Sequence, residues 1–164
     1  MRGYNQFFVR NLIIKLLLAA MIVAFVWSRG YELFVTWGPS MEPTLESGDI
    51  IVVNKISYDY TSIDRFDVVV LRDVEDGGYM VKRIVGLPME VIEIKDGTIY
   101  IDGRQAKFNY RIKPDRLDVQ PVKVPAGHYF YIGDNMEWTT WGLVTGDNVV
   151  GKAKIKNEKN RMVL

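Results

Sequence analysis

The chain has 164 residues, of which 48% are hydrophobic and 25% are charged, a composition typical of one globular domain rather than of a disordered or fibrous protein. Its 21 basic and 20 acidic residues give a formal net charge of +1, far from the basic surface that nucleic-acid binding needs, so we expect no nucleic-acid partner. With no cysteine and one histidine, His128, disulfides, a cysteine nucleophile and thiolate or multi-histidine metal sites are excluded, and we expect no metal or cofactor.

The first predicted element is an apolar helix near the N-terminus. Leu12–Trp27 contains one charge, Lys15, and Phe7–Val9 extends the apolar run toward the ~20 residues that span a bilayer. The long side chain of Lys15 allows its ammonium group to reach the lipid headgroups. The sequence therefore predicts a cytoplasmic N-terminus and membrane anchor in residues 1–29, followed by an extracytoplasmic domain in residues 30–164.

Basic residues determine the predicted orientation of this helix. Arg2, Arg10 and Lys15 precede most of the apolar run with no acid among them, so the positive-inside bias places the N-terminus in the cytoplasm. A cleaved signal peptide is one alternative, but residues 26–28 match the required small-residue exit pattern poorly. A buried helix of a soluble protein is another, but Leu16–Val26 is apolar on every face. We expect a single-pass membrane protein.

Beyond residue 50 the pattern changes to short β-branched runs separated by turn residues, which predicts a mainly β domain. The six expected strands are Ile50–Ile56, Asp67–Arg72, Tyr79–Val85, Val91–Lys95, Thr98–Ile101 and Tyr129–Ile132. Asp96-Gly97 and Asp102-Gly103 are expected to form tight turns, because a positive φ is favourable for glycine and tolerated by aspartate. Phe108–Pro125 has mixed charge and weak periodicity, which indicates an excursion or small lobe.

A rigid loop after the anchor contains a candidate nucleophile. Ser40 is flanked by Gly38, Pro39 and Pro43, and a backbone restrained in this way suits a nucleophile, although a serine in a proline-rich turn is also an ordinary turn residue. His128 lies in a polar turn before a strand, and we interpret it as a surface residue. The other group known to activate serine is the neutral amine of a lysine.

Lys82 is the best candidate for that base. Strand alternation predicts that it shares one face with Met80 and Ile84 and that Arg83 lies on the other. Arg83 is excluded as a base because a guanidinium group stays protonated. Lysine ordinarily titrates near ~10.4, and burial in apolar surroundings is needed to lower its pKa toward neutrality. The alternative interpretation of Lys82 is an exposed lysine on an edge strand.

Several segments resemble, in order, the motifs of the type I signal peptidases. Ser40–Leu45 reads Ser-Met-Glu-Pro-Thr-Leu, similar to the nucleophile motif of that family. The other matching segments are Phe66–Leu71, Tyr79–Pro88 for the lysine motif, Gly133–Asn135, Trp141–Val144 and Gly151–Ala153. Each match alone is moderately specific, but their order behind an apolar N-terminal run is specific, and together they cover nearly the whole chain.

This resemblance implies a signal-peptidase-like all-β catalytic domain and a Ser-Lys endopeptidase. Ser40 is the implied nucleophile, Lys82 the implied general base, and the Ser40 N–H an oxyanion donor. Gly38 stands where many relatives have a hydroxyl side chain, so it offers only backbone support. The implied substrates are the signal peptides of exported preproteins, bound as an added strand, with small side chains at the first and third positions before the cut.

The chain departs from the pattern of the family in two places. Met89-Glu90 replaces the usual Gly-Asp, and we expect an altered turn because methionine resists a positive φ. The segment after Asn135 is shortened and lacks the Ser-x-Asp-Ser-Arg motif. We expect Thr139 or Thr140 to supply the hydroxyl that supports the lysine amine, unless both are solvated loop residues, and Asp134 keeps a carboxylate nearby.

Other functional interpretations remain open at this point. Phe34, Val35 and Trp37 contact membrane lipid or belong to the domain core. The alternative function is a narrow-specificity or non-catalytic relative that processes or binds a dedicated exported subunit such as a pilin, and the presence of both Ser40 and Lys82 favours the enzyme. A self-cleaving repressor is disfavoured because an apolar anchor stands where a DNA-binding module would be.

Overall fold

A computed structural model of the protein describes residues 2–73, 77–107 and 117–155. These residues form a long helix, α1 (Arg2–Gly30), a short helix, α2 (Ser57–Tyr60), two 3-10 turns and eleven strands. The strands are β1 (Tyr31–Val35), β2 (Ile50–Asn54), β3 (Val68–Arg72), β4 (Tyr79–Gly86), β5 (Val91–Lys95), β6 (Thr98–Ile101), β7 (Arg104–Gln105), β8 (Val119–Lys123), β9 (His128–Ile132), β10 (Gly142–Thr145) and β11 (Val149–Lys154). The predicted mainly β fold behind one apolar helix is confirmed.

The α1 helix contains the predicted apolar run. Its segment Phe7–Gly30 has a mean hydropathy of 2.2 and is long and apolar enough to cross a membrane, and its most apolar stretch is not buried against the rest of the described chain. Gly30 ends the helix, as glycine commonly does. The Gly30 carbonyl accepts a hydrogen bond from the Lys55 N–H at 2.9 Å, and β1 begins at the next residue. The β domain therefore starts directly at the end of α1.

Seven antiparallel strands form the main sheet, in the order β1-β2-β11-β3-β4-β9-β10. Both faces of this sheet are covered at β3, where Val68–Leu71 is buried throughout. Val68 and Val70 contribute to one apolar cluster, and Val69 and Leu71 contribute to another. A continuous apolar run is the pattern expected of a strand covered on both sides. This interior position extends to β4, which carries Lys82.

The second sheet has four strands in the order β7-β6-β5-β8. The predicted turns are present, since Asp96 and Asp102 have φ values of 47° and 49° and a glycine with positive φ follows each. Its apolar face packs against the main sheet in a shared cluster that includes Ile92, Phe130 and Ile132. The smaller sheet thus supports β9 and the loop that follows it.

Five strands were not predicted from the sequence: β1, β7, β8, β10 and β11. The predicted strand Ile50–Ile56 ends at Asn54, and the predicted strand Tyr79–Val85 extends to Gly86. In the segment predicted as an excursion, residues 108–116 lie outside the described ranges, and Val119–Lys123 forms β8, which pairs with β5. These strands have weak alternation of their own and depend on pairing with other strands, which for β8 and β11 are distant in the sequence.

The turn at Met89 differs from expectation. Met89 has a φ of 74°, the left-handed conformation that glycine adopts most readily. Two hydrogen bonds hold this turn: the Met89 N–H donates to Val124 O at 2.9 Å, and the Leu87 N–H donates to Glu90 Oε2 at 2.8 Å. The expectation that methionine would avoid a positive φ here is wrong, because its neighbours impose that conformation on the backbone.

Candidate active site

Ser40 lies half-buried in the loop that joins β1 to β2. Met41 and Leu45 anchor this loop, because both side chains are buried in an apolar cluster of the main sheet. The Leu45 N–H donates to Met41 O at 2.9 Å and closes one backbone turn. Gly38 has a φ of 81°, and its N–H donates to Ser47 Oγ at 3.2 Å. The backbone is therefore restrained on both sides of Ser40.

Lys82 lies in β4, which is an interior strand between β3 and β9. Only 5% of the residue surface is exposed, and Lys82 stands in register with the fully buried Val69 on β3. Burial lowers the pKa of Lys82 from its usual 10.5 to about 8, although the negative charge of Asp134 acts in the opposite direction. Near physiological pH, a fraction of the Lys82 side chains therefore carries the neutral amine.

The hydroxyl of Thr139 contacts this amine, with 3.0 Å between Lys82 Nζ and Thr139 Oγ1. The Thr139 hydroxyl donates a hydrogen bond to Thr140 O at 2.9 Å and accepts one from the Gly133 N–H at 2.9 Å. Because the hydroxyl proton of Thr139 is engaged in the bond to Thr140 O, Lys82 Nζ is the donor in its contact with Thr139 Oγ1. The lone pair of a neutral amine then remains available to accept a proton from another group. Thr140 contributes its backbone carbonyl to this arrangement.

Gly133 is the point where the nucleophile loop meets Thr139. A Cβ atom at Gly133 would lie 2.2 Å from Ser40 O and 2.4 Å from Thr139 Oγ1, so no side chain fits. Two residues later, the Asn135 N–H donates to Ser40 O at 3.0 Å. The loop after β9 thus lies against the backbone of Ser40 and also carries the hydroxyl that contacts Lys82.

Asp134 pairs with Arg83, the neighbour of Lys82. Arg83 Nε donates to Asp134 Oδ1 at 2.7 Å, and Arg83 Nη2 donates to Asp134 Oδ2 at 2.6 Å. Both side chains are buried, and Thr44 Oγ1 also donates to Asp134 Oδ2. Asp134 therefore connects β4, the loop after β9 and the nucleophile loop, and it influences the Lys82 amine through its charge.

The Arg83–Asp134 pair was not predicted from the sequence, in which Arg83 was considered only as an excluded base and Asp134 only as support for Lys82. The available signal was the position of Arg83 in an apolar strand, since a buried guanidinium group needs a carboxylate partner. The sequence does not say which carboxylate it is, because Asp134 lies 51 residues further along the chain.

His128 is located at the opposite end of β9 from the Gly133 loop. It is the first residue of β9 and stands in register with Thr145. Its ring Nδ1 lies 3.0 Å from Ala126 O. Ile132 lies four positions after His128 in this strand, a distance of about 13 Å along an extended backbone. Within the described ranges, no group of three or more His, Asp or Glu side chains is arranged to hold a metal ion.

One half of β4 has an open edge beside Lys82. Pairing with β3 covers Tyr79–Arg83, whereas pairing with β9 begins only at Arg83. The Ile84 N–H donates to Asp67 O at 2.9 Å on the β3 side. The backbone N–H and C=O groups of successive residues in a strand point to alternate sides. The N–H and C=O of Lys82, like those of Ile84, therefore point toward β3, and those of Val81 point toward the open side. In the part of the chain that the structure describes, no strand pairs with this edge.

Comparisons with known proteins agree with this arrangement. Residues 9–157 match the family model described as signal peptidase, peptidase S26. Signal peptidase I T of Bacillus subtilis (strain 168) is 34% identical over 160 residues, which cover 88% of this chain and 81% of that protein. A probable signal peptidase I-1 of Synechocystis sp. is 31% identical over 163 residues, which cover 90% of this chain and 81% of that protein.

A solved structure of a signal peptidase I from Enterococcus faecalis V583 is also similar, with 27% identity and a TM-score of 0.48 over 56% of this chain and 97% of that chain. The family model extends over most of the sequence, from within α1 to beyond β11. The relatives from Bacillus subtilis and Synechocystis, at 34% and 31% identity, also match along most of the chain. The chain therefore belongs to the signal peptidase family of S26 peptidases, and it is a serine endopeptidase.

Proposed function

We propose that the protein is a membrane-anchored endopeptidase that removes signal peptides from exported preproteins, with Ser40 as nucleophile and Lys82 as general base. The observation that carries this proposal is the environment of Lys82. Its amine is buried, its pKa is lowered to about 8, and it donates to Thr139 in a way that leaves the lone pair free. An amine in that state is suited to activate a serine hydroxyl.

The proposed reaction proceeds in two stages. The Ser40 Oγ attacks the scissile carbonyl carbon while Lys82 Nζ takes the hydroxyl proton. The Lys82 ammonium then returns this proton to the leaving amine, the C–N bond breaks, and an ester forms on Ser40. A water molecule next attacks the ester carbonyl, with Lys82 again accepting a proton. Collapse of the second tetrahedral intermediate releases the new carboxyl terminus and restores the Ser40 hydroxyl.

The Ser40 N–H is the proposed donor to the developing oxyanion. Among the described residues it makes no backbone hydrogen bond, whereas the Gly38 N–H is engaged with Ser47 Oγ. Gly38 therefore supports the site through the conformation of its backbone, with a φ of 81°. A donor that is already oriented before the reaction stabilises the charge of the transition state without further reorganisation.

The open edge of β4 supports binding of the substrate as an added strand. Val81 offers its N–H and C=O to a neighbouring chain, which is the requirement for strand addition. Phe34 of β1 reaches across to Tyr79, and their ring centroids are 5.4 Å apart in an edge-to-face arrangement. We propose that this aromatic pair limits the space beside the open edge and favours small substrate side chains before the cut.

The position of the anchor supports cleavage close to a membrane. The α1 helix continues directly into β1, so the catalytic domain begins where the apolar helix ends. Leu33, Val35 and Trp37 follow at alternate positions and are exposed, an arrangement suited to contact with the lipid interface. We propose that the N-terminus is cytoplasmic, because Arg2 and Arg10 lie near the N-terminal end of α1 and precede most of its apolar run.

Cleavage of preproteins by the detergent-solubilised full chain tests this proposal. We expect the wild-type protein to cut members of a preprotein panel at one position after the apolar region of the signal peptide. The Ser40→Ala variant is expected to be inactive while retaining the circular dichroism spectrum of the wild type. Absence of cleavage by the wild type, or equal cleavage by both proteins, would contradict the proposed function. A non-catalytic role in binding exported subunits is not favoured by any contact in the site.

A further inference from the structure

The topology around Lys82 restricts the path of a bound polypeptide. On the Tyr79 side of Lys82 the edge of β4 is open, but on the Arg83 side β9 already occupies that edge. A substrate paired with the open half must therefore leave the sheet near Lys82. Beyond that point it meets the segment that follows β9, which includes the 3-10 turn Met136–Trp138.

Trp138 is the exposed aromatic residue of this segment, with 63% of its surface accessible. The backbone N–H of Trp138 donates to Asn135 O at 3.2 Å, and the backbone N–H of Asn135 in turn donates to Ser40 O. The next residue, Thr139, contacts the Lys82 amine. Trp138 is thus linked through short paths to both proposed catalytic residues.

The backbone that carries Trp138 is fixed at both ends. Met136 is buried in the cluster shared by the two sheets. Trp141 stacks on Phe130 with a centroid distance of 5.6 Å and an interplanar angle of 18°. A large exposed indole on a fixed backbone offers apolar contact area with little loss of conformational entropy on binding.

We propose that Trp138 determines specificity on the leaving side of the substrate, where its indole contacts an apolar side chain in the first residues after the cut. This inference rests on the proposed function, in which the part of the substrate before the cut pairs with the open half of β4. The part after the cut then passes over the segment that carries Trp138. The occupant is a substrate side chain rather than lipid, because Trp138 lies on the short segment whose Asn135 bonds to the backbone of Ser40 and whose Thr139 contacts the Lys82 amine.

The test compares matched preproteins that differ in one residue after the cut. Phenylalanine or serine is placed in turn at the second, third and fourth positions, and kcat/KM is measured in detergent. Because the two side chains are both neutral, the neighbouring carboxylate of Glu137 does not bias the comparison. At one or more of these positions, we expect the wild type to favour phenylalanine by ~5-fold, a discrimination of the size that partial apolar burial provides.

Trp138→Ala is expected to bring this ratio to about 1, and Trp138→Phe to retain most of it. Trp37→Ala is the matched control, because Trp37 is also an exposed tryptophan and precedes Ser40 in the sequence, and it should keep the wild-type ratio. An unchanged ratio in Trp138→Ala, or no preference in the wild type, would overturn the inference. So would a loss of activity in Trp138→Ala confined to lipid vesicles, which would identify Trp138 as a lipid contact.

Failure of the proposed function would give a different result. In that case the wild type would cleave no member of the panel, including the parent preprotein. Cleavage of the parent by the wild type, with loss of cleavage in Ser40→Ala, keeps the proposed function in place whatever the phenylalanine-to-serine ratio is. The ratio then reports on Trp138 alone, because a merely structural role would change cleavage of both substrates equally.

Discussion

Lys82 Nζ donates a hydrogen bond to Thr139 Oγ1 at a distance of 3.0 Å. The direction of this bond is determined by Thr140, because its backbone carbonyl accepts a hydrogen bond from the Thr139 hydroxyl. The amine is thereby held in one orientation by the segment that follows Asn135. In that segment, Thr139 supplies the hydroxyl that contacts the amine.

Replacement of Thr139 by valine should lower the turnover rate. Valine keeps the shape of threonine and removes the hydroxyl, so the amine loses its orienting partner. We expect kcat to fall by ~10-fold or more, the scale of a weakened general-base contribution, with little change in KM. Thr140→Val is the matched control and should have little effect, because Thr140 takes part through its backbone carbonyl. Equal turnover in Thr139→Val and the wild type would contradict a supporting role for Thr139.

The pH dependence of cleavage follows from the lowered pKa of Lys82. The reactive form is the neutral amine, and burial lowers the pKa to about 8. We therefore expect kcat/KM to rise about tenfold per pH unit below pH 8 and to level off above it. A histidine base would instead reach its plateau above pH ~6.5. A profile already flat between pH 6.5 and 8 would be incompatible with Lys82 as the base.

The two proposed catalytic residues should act as one unit. Ser40→Ala and Lys82→Ala are each expected to abolish cleavage, and the double variant should be no less active than either single variant. Lys82→Arg should also be inactive, because a guanidinium group does not release its proton near neutral pH. His128→Ala should retain nearly normal activity. Single-turnover cleavage of one preprotein measures all five variants, and activity in Lys82→Arg would refute the proposed base.

The sequence was informative where a strand has a pattern of its own. The Val-rich run of β3 and the Asp-Gly turns of the second sheet predict their structures locally, because burial on two faces and positive φ values restrict the residue types. By contrast, β11 contains Gly151, where a Cβ atom would lie 2.4 Å from Asn54 O. That close approach depends on a strand almost a hundred positions earlier in the chain, and no local pattern reveals it.

The site shows the same limit at the level of single residues. Ser40 and Lys82 could be proposed from the sequence because their chemistry and motif context are specific. The sequence could not decide between Thr139 and Thr140, because the two are adjacent and chemically alike. The 3-10 turn over Met136–Trp138 decides it, since it presents the hydroxyl of Thr139 to the amine. This turn is held by Met136, which packs into a core built from both sheets.

The proposed orientation of the anchor predicts the location of the β domain. With a cytoplasmic N-terminus, residues after Gly30 lie outside the cell membrane. Protease added to intact spheroplasts should therefore digest the β domain, as measured by immunoblotting with an antibody against that domain. A cytoplasmic protein in the same preparation serves as the control for integrity and should remain intact. Digestion of the β domain only after lysis would require the opposite orientation.

Met89→Gly should increase the stability of the β domain. Met89 is exposed and holds a φ of 74°, a conformation that costs a side-chain-bearing residue ~1 kcal/mol relative to glycine. Replacement by glycine removes this cost and loses little packing, so we expect the free energy of unfolding to rise by up to ~1 kcal/mol in urea titrations of the full chain in detergent. Met89→Ala is the control and should give no gain, because alanine also resists a positive φ. A gain of the same size in both variants would show that removal of the exposed side chain, rather than relief of backbone strain, stabilises the turn.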